Sequence, residues 1–352
     1  MLGELPESLK GTILSSCENM IDKIIAVVGC GYWGKNLVRN LAELGALHTI
    51  CDSSPEVIER LHKLYPNVNI ETSFERVLAD NEIKGVVVSS PAELHYSMAK
   101  QALLAGKDVF VEKPFVSNSS EGQELVELSE EQKLILMVGH LMLYHPAVDV
   151  LKRHIQSDDL GELYYLYSTR VNLGQVRSDE SALWRLAPHD ISLFLYLLGT
   201  HPEVVSAQGI SYVQPHLEDV VFITLRFPKN VLAHIHVSWL DPHKIRQLTV
   251  VGSKKMAVFD DMDPQHKLRI YDQGVVNDDD MVSSLSGTLA LRSEGIFLPR
   301  VDLTEPLSLE CRHFVNCIQS RTQPLSGGKQ GLEVVRILER IEEAMKGEGS
   351  KS

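Results

Sequence analysis

The stretch Lys23-Ile24-Ile25-Ala26-Val27-Val28-Gly29-Cys30-Gly31-Tyr32-Trp33-Gly34-Lys35-Asn36-Leu37-Val38 decides how this chain folds. Ile24 to Val28 is a short, continuous apolar run of the kind that makes a strand buried on both faces. A GxGxxG follows at once, and then a helical pattern from Trp33 to Leu44. In a strand-turn-helix unit the first glycine allows a tight turn, the second lets a pyrophosphate approach the backbone, and the third lets the helix pack closely, with the phosphates on the helix N-terminus. Gly29, Gly31 and Gly34, with Tyr32 and Trp33 among them, are thus candidate cofactor-binding residues. Asp52 ends the next apolar run, Thr49 to Cys51, near the offset of roughly 20 residues at which an acid accepts the ribose hydroxyls of a dinucleotide. A carboxylate there repels a 2′-phosphate, so the pattern favours NAD over NADP, with Ser53 as a further candidate contact. The competing role for Asp52 is an N-cap ahead of Pro55.

The same grammar repeats up to about Leu141. Runs at Val86 to Val88, Val109 to Val111 and Leu134 to Val138 alternate with helical stretches such as Pro55 to Leu64 and Ala92 to Leu104. Such alternation means βαβ units and a parallel sheet, hence an α/β, doubly wound Rossmann domain over residues 23–141, preceded by a polar N-terminal extension, residues 1–22. Beyond Pro146 a helix through about Ile155 gives way to longer strand-like segments: Leu163 to Val171, Val220 to Phe227, Val231 to Val237, Arg246 to Val251 and Lys267 to Tyr271. His234, His236 and Ser238 alternate with Ile235, Val237 and Trp239, the pattern of a sheet covered on one face. Residues 142–352 are therefore expected to form a second, α+β domain with a large, mostly antiparallel open sheet. A long loop or excursion is expected between about Asp260 and Pro306, and helices after Pro306 and Gly331.

Composition bounds the partners. A chain of 352 residues exceeds the roughly 250–300 that one core supports, so two domains are expected. Basic residues number 34 and acidic ones 47, and the net charge of −13 disfavours a nucleic-acid partner. No apolar run approaches bilayer-spanning length, Glu4 and Glu7 stand where a signal peptide is basic, and the five cysteines lack CxxC spacing. A cytoplasmic protein with reduced cysteines and no membrane partner is expected. Neither an HExxH nor a paired His/acid cluster points to a metal, and no GxSxG points to hydrolase chemistry.

Glu112-Lys113-Pro114 closes the run Val109 to Val111, and Ser89-Ser90-Pro91 with His95 closes the run before it. Ligands of doubly wound sheets lie beyond the carboxyl ends of the strands, so Lys113 is aimed at the nicotinamide end, and Ser90, Pro91, His95 and Glu112 read as walls of one pocket. With these motifs in this order the chain resembles the Gfo/Idh/MocA oxidoreductase family. The resemblance implies that Lys113 is catalytic and often precedes a cis proline, and that a helix of the second domain carries Asp-x-x-x-His. His189 matches that His, whereas Arg185 stands at the Asp position, leaving Asp190 to orient His189. A histidine moves protons near neutrality because its ordinary pKa is about 6.5.

A further set resembles the branch acting on UDP-linked N-acetylated amino sugars, the UDP-N-acetylglucosamine 3-dehydrogenases and related glucosaminuronate dehydrogenases. It comprises Arg170-Val171-Asn172-Leu173-Gly174 with Arg177, Trp184, and Ser238-Trp239-Leu240-Asp241-Pro242 with Lys244 and Arg246. Arg170, Arg177, Lys244 and Arg246 suit a diphosphate, Trp184 and Trp239 suit stacking on sugar or uracil, and Tyr144 is a candidate pocket residue. The expected function is NAD-dependent oxidation of a secondary hydroxyl, foremost C3, of a UDP-N-acetyl amino sugar, with Lys113 and His189 handling the hydroxyl proton. The alternatives are a dehydrogenase or ketoreductase of another sugar or inositol, and a non-catalytic NAD-binding regulator. The open sheet also implies a homodimer or homotetramer built through the second domain.

Overall fold

A computed structural model describes residues 22–174, 180–276 and 290–348, so of the expected N-terminal extension only Asp22 falls within it. The chain divides into two compact units, one of Met1–Leu141 with Glu305–Val335, the other of Met142–Thr304 with Arg336–Ser352. In the first unit the elements run β1 (Ile25–Val28), α1 (Gly34–Glu43), β2 (Leu47–Cys51), α2 (Pro55–Leu64), β3 (Asn69–Glu71), α3 (Phe74–Ala79), β4 (Gly85–Val88), α4 (His95–Leu104), β5 (Asp108–Val111), α5 (Ser119–Gln132) and β6 (Leu136–Val138). The six strands pair in parallel in the order β3-β2-β1-β4-β5-β6. Every residue of β1, β4 and β5 is buried, which is why these strands read as unbroken apolar runs. The order reverses between β1 and β4, and that switch point is where such sheets bind ligands. The short β3 and α3 lie outside the expected elements: Asn69-Ile70-Glu71 carries one apolar residue and no period.

The second unit contains α6 (Pro146–Gln156), β7 (Leu163–Val171), α7 (Ala182–Leu198), β8 (Val204–Ile210), β9 (Val220–Arg226), β10 (Leu232–Ser238), β11 (Ile245–Gly252), β12 (Met256–Asp260), β13 (Leu268–Val276) and β14 (Ala290–Phe297). These strands form an eight-stranded sheet, β14-β13-β12-β11-β7-β10-β9-β8, antiparallel except at the β7–β10 pairing. Its covered face holds Leu166, Ile223, Leu225, Ala233, Ile235 and Val237, all buried, with α7 packed against β9, β10 and β7. The opposite face leaves Tyr165, Tyr167 and Phe222 exposed, with Phe222 stacked on His236 at 4.4 Å between ring centroids. The excursion expected between Asp260 and Pro306 is instead partly sheet: β13 and β14 pair from Ile270↔Phe297 to Val276↔Ala290. The Asp, Ser and Gly content between them concealed the second strand.

Two helices complete the chain, α8 (Pro306–Ser320) and α9 (Gly328–Glu348). The reading that gave all of residues 142–352 to the second domain differs from the structure here, because residues 305–335 pack with the first unit. Phe314 of α8 lies 5.7 Å from Phe110 of β5 between ring centroids. Arg321 donates to both carboxylate oxygens of the buried Asp108 at 2.7 and 3.1 Å, and Val138 N–H of β6 donates to Ser326 O at 2.8 Å. Gly85 of β4 lies against Ile318 and Phe314, so α8 covers part of this sheet. Phe314→Ala is expected to cost about 3–5 kcal/mol, read as a lower urea midpoint by circular dichroism. An unchanged midpoint would contradict the placement of α8 in this core.

Candidate active site

The glycine loop is built by close approach. Gly29 has φ +84° and its N–H donates to Cys51 O at 3.0 Å, while a Cβ on it would stand 2.6 Å from Ser90 N. A Cβ on Gly34 would lie 2.0 Å from Gly29 O, so the first turn of α1 rests directly on the end of β1. Gly31 has no atom within 4 Å of its Cβ position, and α1 carries neither a side-chain cap nor an acid in its first turn. The open space above Gly31 and the uncompensated N-terminus of α1 therefore fit an anionic group such as a pyrophosphate. Tyr32 is 88% exposed, and the Lys35 ammonium sits over its ring at 5.3 Å.

Asp52 faces this loop. Its Oδ2 accepts Cys30 N–H at 2.6 Å and its Oδ1 accepts Ser54 N–H at 2.8 Å. The cap of α2 is Ser54, whose Oγ accepts Val57 N–H, and not Asp52. A carboxylate has about four acceptor sites, so Asp52 keeps two for the hydroxyls of a ribose. Ser53 is exposed beside it.

The second wall comes from the ends of β4, β5 and β6. The Lys113–Pro114 peptide is cis, and Lys113 is half-buried. Ser90 and Pro91 lie at the end of β4 with Ser90 half-buried and Pro91 exposed, but His95 is turned inward, 2% exposed. Its Nδ1 stands 2.7 Å from Pro114 O and its Nε2 2.9 Å from Ser90 O, so it spans two loops where a wall residue was expected. Glu112 is buried; its Oε1 accepts the Trp33 indole N–H at 2.5 Å and its Oε2 accepts Lys113 N–H at 3.2 Å. Burial pushes the Glu112 carboxyl up to about 7 against the opposing effect of those two donors.

Two further buried groups here escaped sequence reading. Glu310 of α8 is fully buried, and burial and the Glu112 charge hold its carboxyl well above the usual range. His140 follows β6; burial, with the Lys113 charge, brings its imidazole down to about 4, so it is neutral at pH 7. Nothing in a single histidine of the sequence reports that it is enclosed.

In the second unit the structure separates the expected residues into framework and surface. Arg170, expected to meet a diphosphate, is buried in a two-bond pair with Asp190, Nε to Oδ2 at 2.8 Å and Nη2 to Oδ1 at 3.1 Å. Asp190 is thereby committed to Arg170, where it was expected to orient His189. His189 is half-buried on α7, and its carbonyl accepts Ser192 Oγ–H at 2.9 Å. Arg185, one turn before it, pairs with Glu180 at 3.3 Å.

Trp239 is 2% exposed and donates its indole N–H to Asp219 Oδ1 at 2.5 Å, so it is packed inside and not displayed for stacking. Burial pushes the Asp219 carboxyl up, but bonds from Val213 N–H, the Trp239 indole and Tyr212 N–H outweigh it and hold the group below its ordinary range. Trp184 donates to Glu342 Oε1 at 2.6 Å, and Tyr144 is buried. Asn172 is half-buried, its N–H donating to Ser238 O at 3.1 Å; Lys244 is exposed, and Arg246 reaches Asp261 at 3.6 Å. Arg177 lies outside the described residues. Among the described residues no group of three or more His, Cys, Asp or Glu is placed to hold a metal ion, and no helix is long and apolar enough to cross a membrane.

Residues 23–140 match the family model described as an oxidoreductase family with an NAD-binding Rossmann fold, and residues 148–258 match the GFO/IDH/MocA C-terminal domain. A UDP-N-acetylglucosamine 3-dehydrogenase of Acidithiobacillus ferrooxidans is 25% identical over 322 residues, covering 90% of this chain and 95% of its own. A solved structure of that dehydrogenase superposes with a TM-score of 0.77 at 23% identity, over 92% of this chain and 97% of the other. The WlbA dehydrogenase of Bordetella pertussis, solved with NADH and UDP-GlcNAcA, gives 0.73 at 21% identity over 93% and 97%.

Gly31 is open and Gly34 is closed against Gly29, and substitution should separate them. Gly34→Ala is expected to lower the melting temperature sharply, whereas Gly31→Ala should leave it nearly unchanged and weaken NAD binding in calorimetry. The Glu112 carboxyl is neutral below about 7 and charged above it. Because its folded pKa lies above the unfolded value, its contribution to stability falls as pH rises from about 4.5 to about 7. Trp33 fluorescence is expected to titrate near pH 7 and to stop doing so in Glu112→Gln; an unshifted titration in that variant would remove the assignment.

Proposed function

Because this chain belongs to the Gfo/Idh/MocA oxidoreductase family, we propose that it is an NAD-dependent dehydrogenase that oxidises a secondary hydroxyl, foremost C3, of a UDP-N-acetyl amino sugar. The observation that carries the reading is the placement of Lys113 beyond the carboxyl end of β5, on the same sheet edge as the glycine loop, in a chain similar over nearly its whole length to a UDP-N-acetylglucosamine 3-dehydrogenase. Gly31 and the N-terminus of α1 would take the pyrophosphate and Asp52 the ribose hydroxyls. NAD, when bound, accepts the hydride that leaves the carbinol carbon. Lys113 is assigned to the oxygen of the reacting hydroxyl, where an ammonium stabilises developing alkoxide. His189 is assigned the hydroxyl proton, leaving the carbonyl product.

Lys113→Ala is expected to abolish reduction of NAD at the reduced-nicotinamide absorbance band and to leave NAD binding intact. His189→Asn is expected to lower kcat by about 10²–10⁴. Retained turnover in Lys113→Ala would remove the mechanism.

The capture of Arg170 and Trp239 by Asp190 and Asp219 favours a second reading, oxidation of a sugar that carries no UDP. On the first reading, UDP recognition falls to Asn172, Lys244 and Arg246, with Arg177. A panel of free and UDP-linked sugars, each assayed for NAD reduction, separates the two. The four described cysteines, all free and buried, support work in the cytoplasm.

We also propose that the exposed face of β7, β9 and β10 is buried in a homodimer or homotetramer, since Tyr165, Tyr167, Phe222 and Leu232 are exposed there, with His234 and His236 half-buried among them. Light scattering is expected to give two or four chain masses, and Tyr167→Lys combined with Phe222→Lys to give one.

A further inference from the structure

We propose that His95 is a positioning residue for Lys113, a role that rests on the assignment of Lys113 to the reacting hydroxyl. The imidazole is the first side chain of α4 and is 2% exposed. Both ring nitrogens stand within hydrogen-bond distance of main-chain oxygens, Nδ1 at 2.7 Å from Pro114 O and Nε2 at 2.9 Å from Ser90 O. Carbonyl oxygens only accept, and a neutral imidazole, the form that burial and the Lys113 charge favour here, has one N–H, so the ring donates to one of the two carbonyls and packs against the other. A histidine kept only to fill the interior has no need of two acceptors on opposite edges.

The two carbonyls belong to different strand ends. Ser90 follows β4, and its N–H lies against Gly29, 2.6 Å from where a Cβ would stand, so this loop is itself fixed by the glycine loop. Pro114 follows β5, and its carbonyl comes one residue after Lys113. The ring thus refers the loop that carries Lys113 to the loop that carries the cofactor cradle.

On its other side Lys113 is held by its own N–H, which donates to Glu112 Oε2 at 3.2 Å, and Glu112 is in turn tied to Trp33 of the glycine loop. The backbone on both sides of the Lys113 Cα is therefore anchored to the same loop, through Glu112 before it and His95 after it. With the root of the side chain set, the ammonium samples a smaller volume than a loop lysine would. That matters because a displacement of about 1 Å at a reacting group costs on the order of 10²-fold in rate.

His95→Gln keeps an N–H donor but loses the rigid ring that fills the space between the two carbonyls. The expected result is a fall in kcat of about 10–100-fold, with KM for the nucleotide sugar, the Kd for NAD and the melting temperature close to those of the parent protein. An unchanged kcat, or a loss of NAD affinity equal to the loss in kcat, would overturn the proposal. A second measurement needs no substrate. Lysines carrying ¹³C-methyl groups introduced by reductive methylation give one NMR resonance each, and Lys113 is identified by its absence in Lys113→Arg. That resonance is expected to move in His95→Gln in the NAD complex; an unmoved resonance overturns the positioning role. Movement of the resonance in a protein that reduces NAD with no sugar of the panel supports the positioning role while removing the substrate reading. Should His95→Gln fail to fold, His95→Asn is read by the same two measurements.

Discussion

The contact on which the rest of the first unit depends is the one between Gly34 and Gly29. Any side chain at Gly34 would place a carbon 2.0 Å from the Gly29 carbonyl oxygen, so α1 can begin where it does only because that carbon is missing. The closeness seats the first turn of α1 on the end of β1, where Lys35 N–H donates to Gly31 O at 3.4 Å and Asn36 N–H to Trp33 O at 2.8 Å. It also brings Gly29 against the backbone of Ser89 and Ser90, which joins the end of β1 to the end of β4 across the switch point of the sheet.

From there a chain of buried polar groups runs along the same edge: Trp33 to Glu112, Glu112 to Lys113 N–H, and His95 between Ser90 and Pro114. Burying a carboxyl is costly unless donors meet it, and Glu112 has two. Glu310, enclosed nearby, is held well above the usual range by burial and the Glu112 charge, and burial makes Glu112 a carboxyl that changes state near neutral pH beside the lysine assigned to the chemistry. The stability of this edge and its electrostatics are therefore one problem, and α8 takes part in both by carrying Glu310 and Phe314.

In the second unit the physical theme is the use of charges as framework. A guanidinium removed from water needs a partner with matching geometry, and Asp190 offers the two-bond fork that Arg170 requires. Asp219 plays the same part for the Trp239 indole and the Tyr212 and Val213 amides, satisfying the turn before β9. Cations and aromatics that look like ligands for a nucleotide sugar when read in a line are here spent on holding β7, β10 and α7 together. What the eight-stranded sheet leaves outward includes Tyr165, Tyr167 and Phe222, with His234 and His236 half-buried among them.

The sequence by itself determined the Rossmann half almost completely, because its strands are buried on both faces and its glycines are required by backbone geometry; both leave local marks. It also marked Asp52 and Lys113 by their place beyond strands that could be read directly, and His189 through the family resemblance. Only the tertiary structure decided the rest. Whether Arg170 faces a ligand or Asp190, whether Trp239 is displayed or enclosed, whether residues 305–335 serve the second unit or cover the first, and whether His95 lines a pocket or meets the Pro114 carbonyl depend on partners distant along the chain, 20 positions away for Arg170 and Trp239 and 19 for the Pro114 contact of His95. A side chain's type limits which bonds it can make, but its role is set by what the fold brings to meet it, and that is a property of packing that no local pattern carries.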